Sequence, residues 1–351
     1  MFFPIVKQTL TTHNLKDKLI KTLKFAIPIG LGFFLIWYIY KDLSEKDKSN
    51  IFTSFKEANY FWIGLSILLG ILSHISRAMR WIMVIETLGY KPKLANGFFA
   101  VMIGYLINMV FPRLGEVSRC ATMTKYEGVP FQNLFGTVIA ERVIDMIILL
   151  FLTFVTIFFQ LDLIGDFVAI EILNPVMQKL SNSKEGITTK LVLLGVVMSL
   201  FFALLYFLKA KSKAIYNKIK NVLSGFAEGF KTVLKVKNPG LFIFHSLFIW
   251  LMYYITLHLS FFALKETSDA SVMAVLSTLV FGSFGIIAVQ GGLGAYPMIV
   301  SKTLTLFGIA LPIGFAFGWI VWTAQFLMIL VLGLLSMVMI PNYNKAGKNE
   351  I

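Results

Sequence analysis

Long apolar runs constrain this chain more than any other feature of its sequence. Residues 25–40, 61–85, 191–208 and 312–340 are almost entirely apolar, and a helix needs roughly 20 such residues to cross the hydrocarbon core of a bilayer. The runs lack the period-two alternation over about ten residues that marks the strands of a membrane barrel. Because 57% of the residues are hydrophobic and only 14% are charged, the sequence predicts an all-α, polytopic helical membrane protein.

We interpret the net charge of +14 as a determinant of membrane topology rather than as a sign of nucleic-acid binding. The lysines stand beside the apolar runs, where they set orientation, and no nucleic-acid recognition module is visible. We therefore expect a membrane lipid, and no nucleic acid, as the partner. The single cysteine, Cys120, rules out an internal disulfide and is interpreted as a packing residue. The four histidines show no metal-ligand spacing, so we expect neither a metal nor another cofactor.

The positions of the lysines predict which segments face the cytoplasm. They mark residues 1–23, 209–240 and 341–351. We therefore expect both termini in the cytoplasm. The whole chain, 1–351, is expected to form a single domain in the inner membrane of the cell. Apolar residues recur at helical spacing within 209–240. That loop is either an amphipathic helix on the inner leaflet, where anionic lipid attracts each lysine by about 1 kcal/mol, or a plain cytoplasmic loop with a packed helix.

Two shorter apolar stretches are interrupted at corresponding places in the two halves of the chain. The first breaks at 112–116 and the second at 290–297. The flanking charges place both ends of 96–126 inside and both ends of 271–309 outside, so each segment must enter the membrane and return. The predicted architecture has about six full transmembrane helices and two re-entrant hairpins in roughly inverted orientation. Paired interruptions of this kind point to a transport site between the halves.

The glycines at the two breaks predict exposed backbone at membrane depth, which is tolerated only where protein or a watery cavity covers it. Gly115 in the first break, and Gly291, Gly292 and Gly294 in the second, are expected to leave N–H groups free beside a positive helix end. Pro297 suits the first turn of such a helix. Two converging N-termini would bind an anion, and a lipid phosphate is the obvious one. Alternatively, the glycines only let helices pack closely.

Ionisable residues cluster beside the first break and on the following span. Such groups are costly at membrane depth and tend to face a cavity. Their charges sum to zero, so they can neutralise one another, and a ligand phosphate can replace a carboxylate as the partner of an arginine. The alternative is an interhelix salt-bridge lattice that only locks the hairpin to the span. The candidate headgroup-binding residues are Arg113, Glu116, Arg119, Glu141, Arg142 and Asp145.

The span around residues 61–85 adds one candidate. Arg77 lies deep enough in this run for contact with a lipid headgroup. Arg80 is expected to extend its charged end to the inner membrane interface. His245, on a later span, is expected to be a packing or interface residue rather than a ligand.

Two stretches resemble the signature of the lysylphosphatidylglycerol synthase transmembrane-region family, a flippase-like integral membrane domain. They are residues 108–119, with Pro-Arg-Leu-Gly-Glu at 112–116, and residues 141–145, Glu-Arg-Val-Ile-Asp. The glycines at 291–294 are similar to the second motif of that family, with Gln290 in place of its proline and Pro297 where a glutamate is usual. The resemblance covers roughly the whole chain. It implies two re-entrant hairpins and a role in lipid translocation.

Three functions from different classes follow from these observations. The first is a flippase that moves a phospholipid or a polyprenyl-phosphate lipid between leaflets. The second is a membrane-embedded transferase for a lipid-linked substrate, which needs a nucleophile, base or metal cluster near a break. The third is a lipid-binding assembly partner. We expect the first, a transporter and not an enzyme, because the soluble transferase domain of the synthases is not in this sequence; a homo-oligomer remains open.

Overall fold

The computed structural model describes residues 30–160 and 236–346 of the 351-residue chain, apart from residues 31, 39, 42 and 112. All regular secondary structure in these ranges is helical, which confirms the predicted all-α class. The predicted basic segment at 1–23 and the predicted span at 191–208 lie outside the described residues, as does nearly all of the loop predicted at 209–240.

The described chain forms a succession of helices, with further helical residues at 30, 32–38 and 40–41. In chain order the helices are α1 Glu45–Glu57, α2 Tyr60–Glu86, α3 Leu94–Val110, α4 Leu114–Glu127, α5 Phe131–Phe159, α6 Pro239–Phe261, α7 Lys265–Ser268, α8 Val272–Ala288, a 3-10 turn Gln290–Gly292, α9 Ala295–Thr305 and α10 Leu311–Ala346.

Four of the described helices, α2, α5, α6 and α10, are long and apolar enough to cross a membrane. The chain is therefore a helical membrane protein. The apolar run at 61–85 matches α2 within a residue at each end. Helix α10 continues to Ala346, through Pro341, although the apolar run ends at Ile340. Its last turns are held by Asn344, which hydrogen-bonds to Asn96 of α3.

Helix α1 occupies the loop that precedes the second span. Its N-terminus is a capping box, in which the Ser44 hydroxyl accepts from the Asp47 N–H and the Asp47 carboxylate accepts from the Ser44 N–H, both at 3.1 Å. Ile51 on its apolar face packs against Phe315 and Ala316. Helix α1 therefore covers the beginning of α10.

The described residues fall into two compact units. Residues up to 138, together with those from 240 onward, form the first unit. It contains two antiparallel helix pairs: hairpin 1, made of α3 and α4, and hairpin 2, made of α8 and α9. Residues 139–160 and 236–239 belong to the second unit and include most of α5.

Hairpin 1 lies along the later half of α10. Phe99 stacks edge-on against Tyr343 with ring centroids 6.2 Å apart, and an added Cβ on Gly333 would lie 2.6 Å from Leu106. Because residue numbers rise along α3 as they fall along α10, the two helices are antiparallel. The base of hairpin 1 is therefore at the C-terminal end of α10, and its tip points toward the middle of that helix.

Hairpin 2 lies along the earlier half of α10. An added Cβ on Gly318 would lie 2.7 Å from Pro297, and one on Gly314 would lie 3.0 Å from Ser301. These glycines let the backbones approach closely, as in many membrane proteins. Helix α9 is thus also antiparallel to α10. The two hairpins approach the middle of α10 from its opposite ends.

Candidate functional site

The tips of the two hairpins face each other beside the middle of α10. Leu106 contacts Gly333, the Trp322 indole contacts Gly291 at the other tip, and α3 contacts the turn at 290–292. Trp322 and Gly333 are 11 positions apart, roughly 16 Å along a helix that is about 54 Å long. The two predicted interruptions are therefore brought together.

The meeting point is electrostatically mixed. Each tip contributes one helix C-terminus, from α3 or α8, and one helix N-terminus, from α4 or α9. The positive ends that were predicted to converge are accompanied by two negative ends. Partial positive and partial negative charge therefore lie side by side at the two tips.

The first tip places a non-glycine residue in the left-handed region. Arg113 has φ 62° and ψ 3°, directly after the extended Phe111 and the undescribed residue 112. This conformation costs an L-residue on the order of 1–2 kcal/mol and persists only where neighbouring structure holds it. The Arg113 side chain is exposed. The first tip therefore presents an exposed cation at the N-terminus of α4.

Asn108 holds this tip together. Its Oδ1 accepts the Gly115 N–H at 2.8 Å, and its Nδ2 donates to Glu116 Oε2 at 3.2 Å. The N–H of Gly115, which was predicted to be free, is therefore capped by a side chain from the preceding helix. A Cβ on Gly115 would overlap the Gly104 carbonyl oxygen and the Asn108 carboxamide. Gly115 thus serves close helix packing, the alternative reading of the glycines.

The second tip is built from backbone. Gly291, Gly292 and Gly294 have φ values of 61°, 73° and 70°, which favour glycine. The Gly292 N–H, also predicted to be free, donates to the Val289 carbonyl at 2.7 Å. The Gly291 carbonyl accepts a 2.7 Å hydrogen bond from the Trp322 indole N–H. Both bonds fix the turn from which α9 begins.

The start of α9 and the last glycine of the turn are closely packed. Pro297 lies in the first turn of α9, as predicted, where its missing N–H costs no helical hydrogen bond. A Cβ on Gly294 would overlap the Gly32 carbonyl oxygen and lie 2.9 Å from Ile36. Gly294 therefore combines a glycine backbone conformation with close approach to the first helical segment.

Arg119 is buried inside hairpin 1. Only 4% of its surface is exposed, and its guanidinium carbon lies 3.6 Å from the centroid of the Trp81 ring. The Trp81 indole N–H donates to Thr137 Oγ1 at 2.9 Å. A desolvated cation–π contact of this kind is worth about 2 kcal/mol. The packing of Arg119 ties α4 to α2.

Arg77 and Arg80 join α2 to α6. Arg77 Nη2 donates to the Tyr253 hydroxyl at 3.0 Å, and Arg80 Nη1 donates to Ser246 Oγ at 3.2 Å. Arg80 is fully buried, so its predicted extension to the interface is wrong, because α6 supplies a hydroxyl at the same depth. His245 Nδ1 lies 2.9 Å from Ser76 Oγ, so this histidine also lies between α2 and α6.

The other candidates lie on α5 in the second unit. Glu141 is buried, Asp145 is half-buried and Arg142 is exposed, and all three occupy one continuous helix. Their proximity to Arg113, Glu116 and Arg119 stays a prediction. Within the ranges that the structure describes, no group of three or more potential ligands could hold a metal ion.

Sequence reasoning missed a polar cluster at the base of hairpin 1. The buried Asn96 donates from Nδ2 to Glu127 Oε1 at 2.6 Å and to Asn344 Oδ1 at 2.9 Å, and Asn344 Nδ2 returns a 2.8 Å bond to Asn96 Oδ1. Glu127 Oε1 also accepts the Lys93 N–H at 3.0 Å. The only signal in the sequence is a lone asparagine at the start of an apolar stretch.

Comparison with known proteins settles the family. Residues 25–333 match the model of the lysylphosphatidylglycerol synthase TM region. The chain belongs to this family. A UPF0104 membrane protein of Methanocaldococcus jannaschii is 36% identical over 95 residues, a match that covers 26% of this chain. The matched part of this chain spans little more than a quarter (28%) of the length of that curated relative. No solved structure matches the chain.

Proposed function

We propose that this protein moves a phosphate-bearing lipid between the leaflets of a cell membrane. The observation that carries the proposal is the meeting of two broken hairpins beside the middle of α10, each entering from a different end of that helix. Irregular backbone at membrane depth is tolerated only where protein or a watery cavity covers it, and such pairs of interrupted helices form substrate sites in transporters.

The two tips divide the task of binding a headgroup. At the first, the exposed Arg113 offers a charge-assisted contact to a lipid phosphate, and Glu116, fixed by Asn108, faces any hydroxyl or cationic part. At the second, the backbone from Gly291 to Gly294 and the N-terminus of α9 supply polar groups without a side chain. The buried Arg119 supports α4, the helix that begins at the first tip, by packing on Trp81, and the buried Arg77 joins α2 to α6.

Alternating access follows if the hairpins are re-entrant from opposite faces. Either hairpin can then close the route to its own leaflet while the other opens, around a headgroup that stays near the bilayer centre. Membership of the family supports a lipid-related membrane role. We also propose that the protein resides in the inner membrane of the cell. Because lysines flank both terminal spans, we place both termini in the cytoplasm.

The decisive experiment follows a lipid with a fluorescent acyl chain between leaflets of vesicles that contain the purified protein. We compare wild type with Arg113→Gly, which removes the cation and also relieves the left-handed backbone. The expected result is an unchanged or higher melting temperature with at least a ten-fold slower transfer. Arg113→Lys should keep much of the transfer. Lys302→Gln, at an exposed lysine in the last turn of α9, is the matched control.

Equal transfer by wild type and Arg113→Gly would remove Arg113 from the site. Absence of protein-dependent transfer for every phospholipid and polyprenyl-phosphate probe would overturn the proposed function itself.

The entry faces are tested separately by thiol labelling from one side of the membrane. In a Cys120→Ala background, Lys91→Cys at the base of hairpin 1 should react only from the cytoplasmic side. Asp269→Cys beside hairpin 2 should react only from outside. Both native residues are exposed. Reaction of both from the same side would contradict opposed re-entry.

A further inference from the structure

A groove lies beside hairpin 1, away from its tip. It has a volume of about 290 Å³ and lies where α3, α4 and α10 come together. Its lining residues are Ile103, Ala121, Thr122, Lys125, Tyr126, Met337 and Ile340. Lys125 is 12 residues from Arg113 along the chain, roughly 18 Å of helix, so the groove is separate from the tips.

The groove has an apolar wall and a polar rim. Ile103 and Ile340 belong to one buried cluster, with Tyr126 packed against it, and Met337 extends this surface along α10. Lys125 is exposed, and its Nζ lies 5.1 Å from the centroid of the Tyr126 ring. An apolar surface that ends in a cation and a tyrosine matches a molecule with an acyl chain and an anionic head.

The charges around this end of the first unit favour an anion. Glu127 Oε1 already accepts two hydrogen bonds, from the backbone N–H of Lys93 and from the Asn96 side chain. The side-chain ammonium of Lys93 lies 5.5 Å from the centroid of the Tyr343 ring. Lysines outnumber carboxylates here among the described residues. The charged side chains at this end are Lys91, Lys93, Lys125, Lys345, Glu86 and Glu127.

The depth of the groove fits the headgroup region. Ile340 is six residues from the end of α10, about 9 Å, and Lys125 is two residues from the end of α4. Lysine near a helix end extends its ammonium to the headgroup level while its stem stays on apolar surface. The molecules that surround a membrane protein at this depth are the phospholipids of the adjacent leaflet.

We propose that this groove binds one anionic phospholipid, with the phosphate at Lys125 and an acyl chain along Ile103, Met337 and Ile340. The bound lipid bridges α4 to α10 and so joins hairpin 1 to the helix against which it packs. The inference requires only that the protein resides in a membrane, and it does not depend on the translocation proposed for the tips.

Native mass spectrometry of the full chain in detergent, titrated with dioleoyl phosphatidylglycerol, tests the site. Lys125→Gln should weaken the tightest binding event about five-fold, the effect of losing one lysine near an anionic headgroup. Ala121→Phe should abolish that event by filling the groove from an exposed helix position. Lys302→Gln, an exposed lysine on α9, should leave it unchanged.

Other probes identify what the groove recognises. Dioleoyl phosphatidylcholine should bind at least five-fold more weakly than phosphatidylglycerol, and millimolar inorganic phosphate should not displace the lipid. Displacement by inorganic phosphate would replace the lipid site with a free-phosphate site. Equal binding of the two lipids would overturn the role of charge.

Unchanged affinity in both Lys125→Gln and Ala121→Phe would overturn the site. If Ala121→Phe fails to fold, the exposed Lys125 variant decides alone. Arg113→Gly should bind lipid in this groove normally, so a failure of the groove and a failure of the translocation site are distinguished.

Discussion

The two hairpins are closed at their tips by different means and are attached to α10 at different places. At the tip of hairpin 1 the Asn108 side chain caps the backbone and orients Glu116. At the tip of hairpin 2 the turn is formed by the backbone of glycines with positive φ. Hairpin 1 is bonded to α10 at its base through Asn344, and hairpin 2 at its tip through Trp322. The comparison shows that the first tip carries charged side chains, Arg113 and Glu116, whereas the second tip is formed by backbone and is hydrogen-bonded to α10.

The largest expected effect tests the close packing of hairpin 1. Gly115→Ala places a methyl group against the Gly104 carbonyl and Asn108, and backbone cannot withdraw as a side chain does. We expect a loss of about 3 kcal/mol in the free energy of unfolding, at the upper end of overpacking, measured by denaturation in mixed micelles. Gly136→Ala is the control, because nothing lies within 4 Å of its added Cβ. Similar losses of unfolding free energy in Gly115→Ala and Gly136→Ala would show that hairpin 1 is not closely packed at Gly115.

The next effect tests the attachment at the base. Asn344→Leu removes two partners of the buried Asn96: the donor to Asn96 Oδ1 and the acceptor for Asn96 Nδ2. Leaving a buried amide with fewer partners costs about 1–3 kcal/mol, measured by the same denaturation. Asn342→Leu, at an exposed neighbour whose Nδ2 donates only to its own helix at Val338, should change stability by less than about 0.5 kcal/mol. Equal losses would locate the effect in α10 alone.

A smaller effect tests the side-chain cap at the first tip. Asn108→Ala leaves the Gly115 N–H and the Glu116 carboxylate without this partner, which should cost about 1–2 kcal/mol. Asn108→Asp keeps an acceptor for Gly115 but places a second carboxylate beside Glu116. Its stability should therefore approach that of wild type as the pH falls and a carboxylate is protonated. A pH-independent Asn108→Asp variant would contradict the proximity of the two groups.

The smallest effect concerns the anchor of the second tip. Trp322→Phe removes the indole N–H that donates to the Gly291 carbonyl but keeps an aromatic ring beside Trp319 and Phe326. We expect a loss of about 1 kcal/mol. Lipid transfer should slow less than with Arg113→Gly if the first tip carries the chemistry. A larger loss of transfer in Trp322→Phe would reverse the assignment of roles.

The sequence predicted what depends on composition and local pattern. The bounds of α2, the two interruptions and the place of Pro297 in the first turn of α9 follow from apolar length and residue type. The sequence did not predict the cap by Asn108. The acceptor lies seven residues before its donor, on the other side of the turn between α3 and α4, and such a pair has no periodic signature.

The remaining errors concern contacts between distant segments. Asn96 and Asn344 are separated by 248 positions, and the depth of Arg80 depends on Ser246 of another helix. Composition cannot show which hydroxyl or amide meets a buried polar group. The charged candidates on α5 were identified by residue type, and their grouping with the first tip is a matter of tertiary arrangement that spacing does not determine.

A single uninterrupted helix bears the attachment points of both hairpins, and this has a mechanical consequence. Each residue of α10 advances its surface by 1.5 Å and turns it by about 100°. One residue inserted between Trp322 and Gly333 would swing one hairpin a quarter-turn around the axis relative to the other. The relative orientation of the two hairpins therefore depends on the number of residues between Trp322 and Gly333.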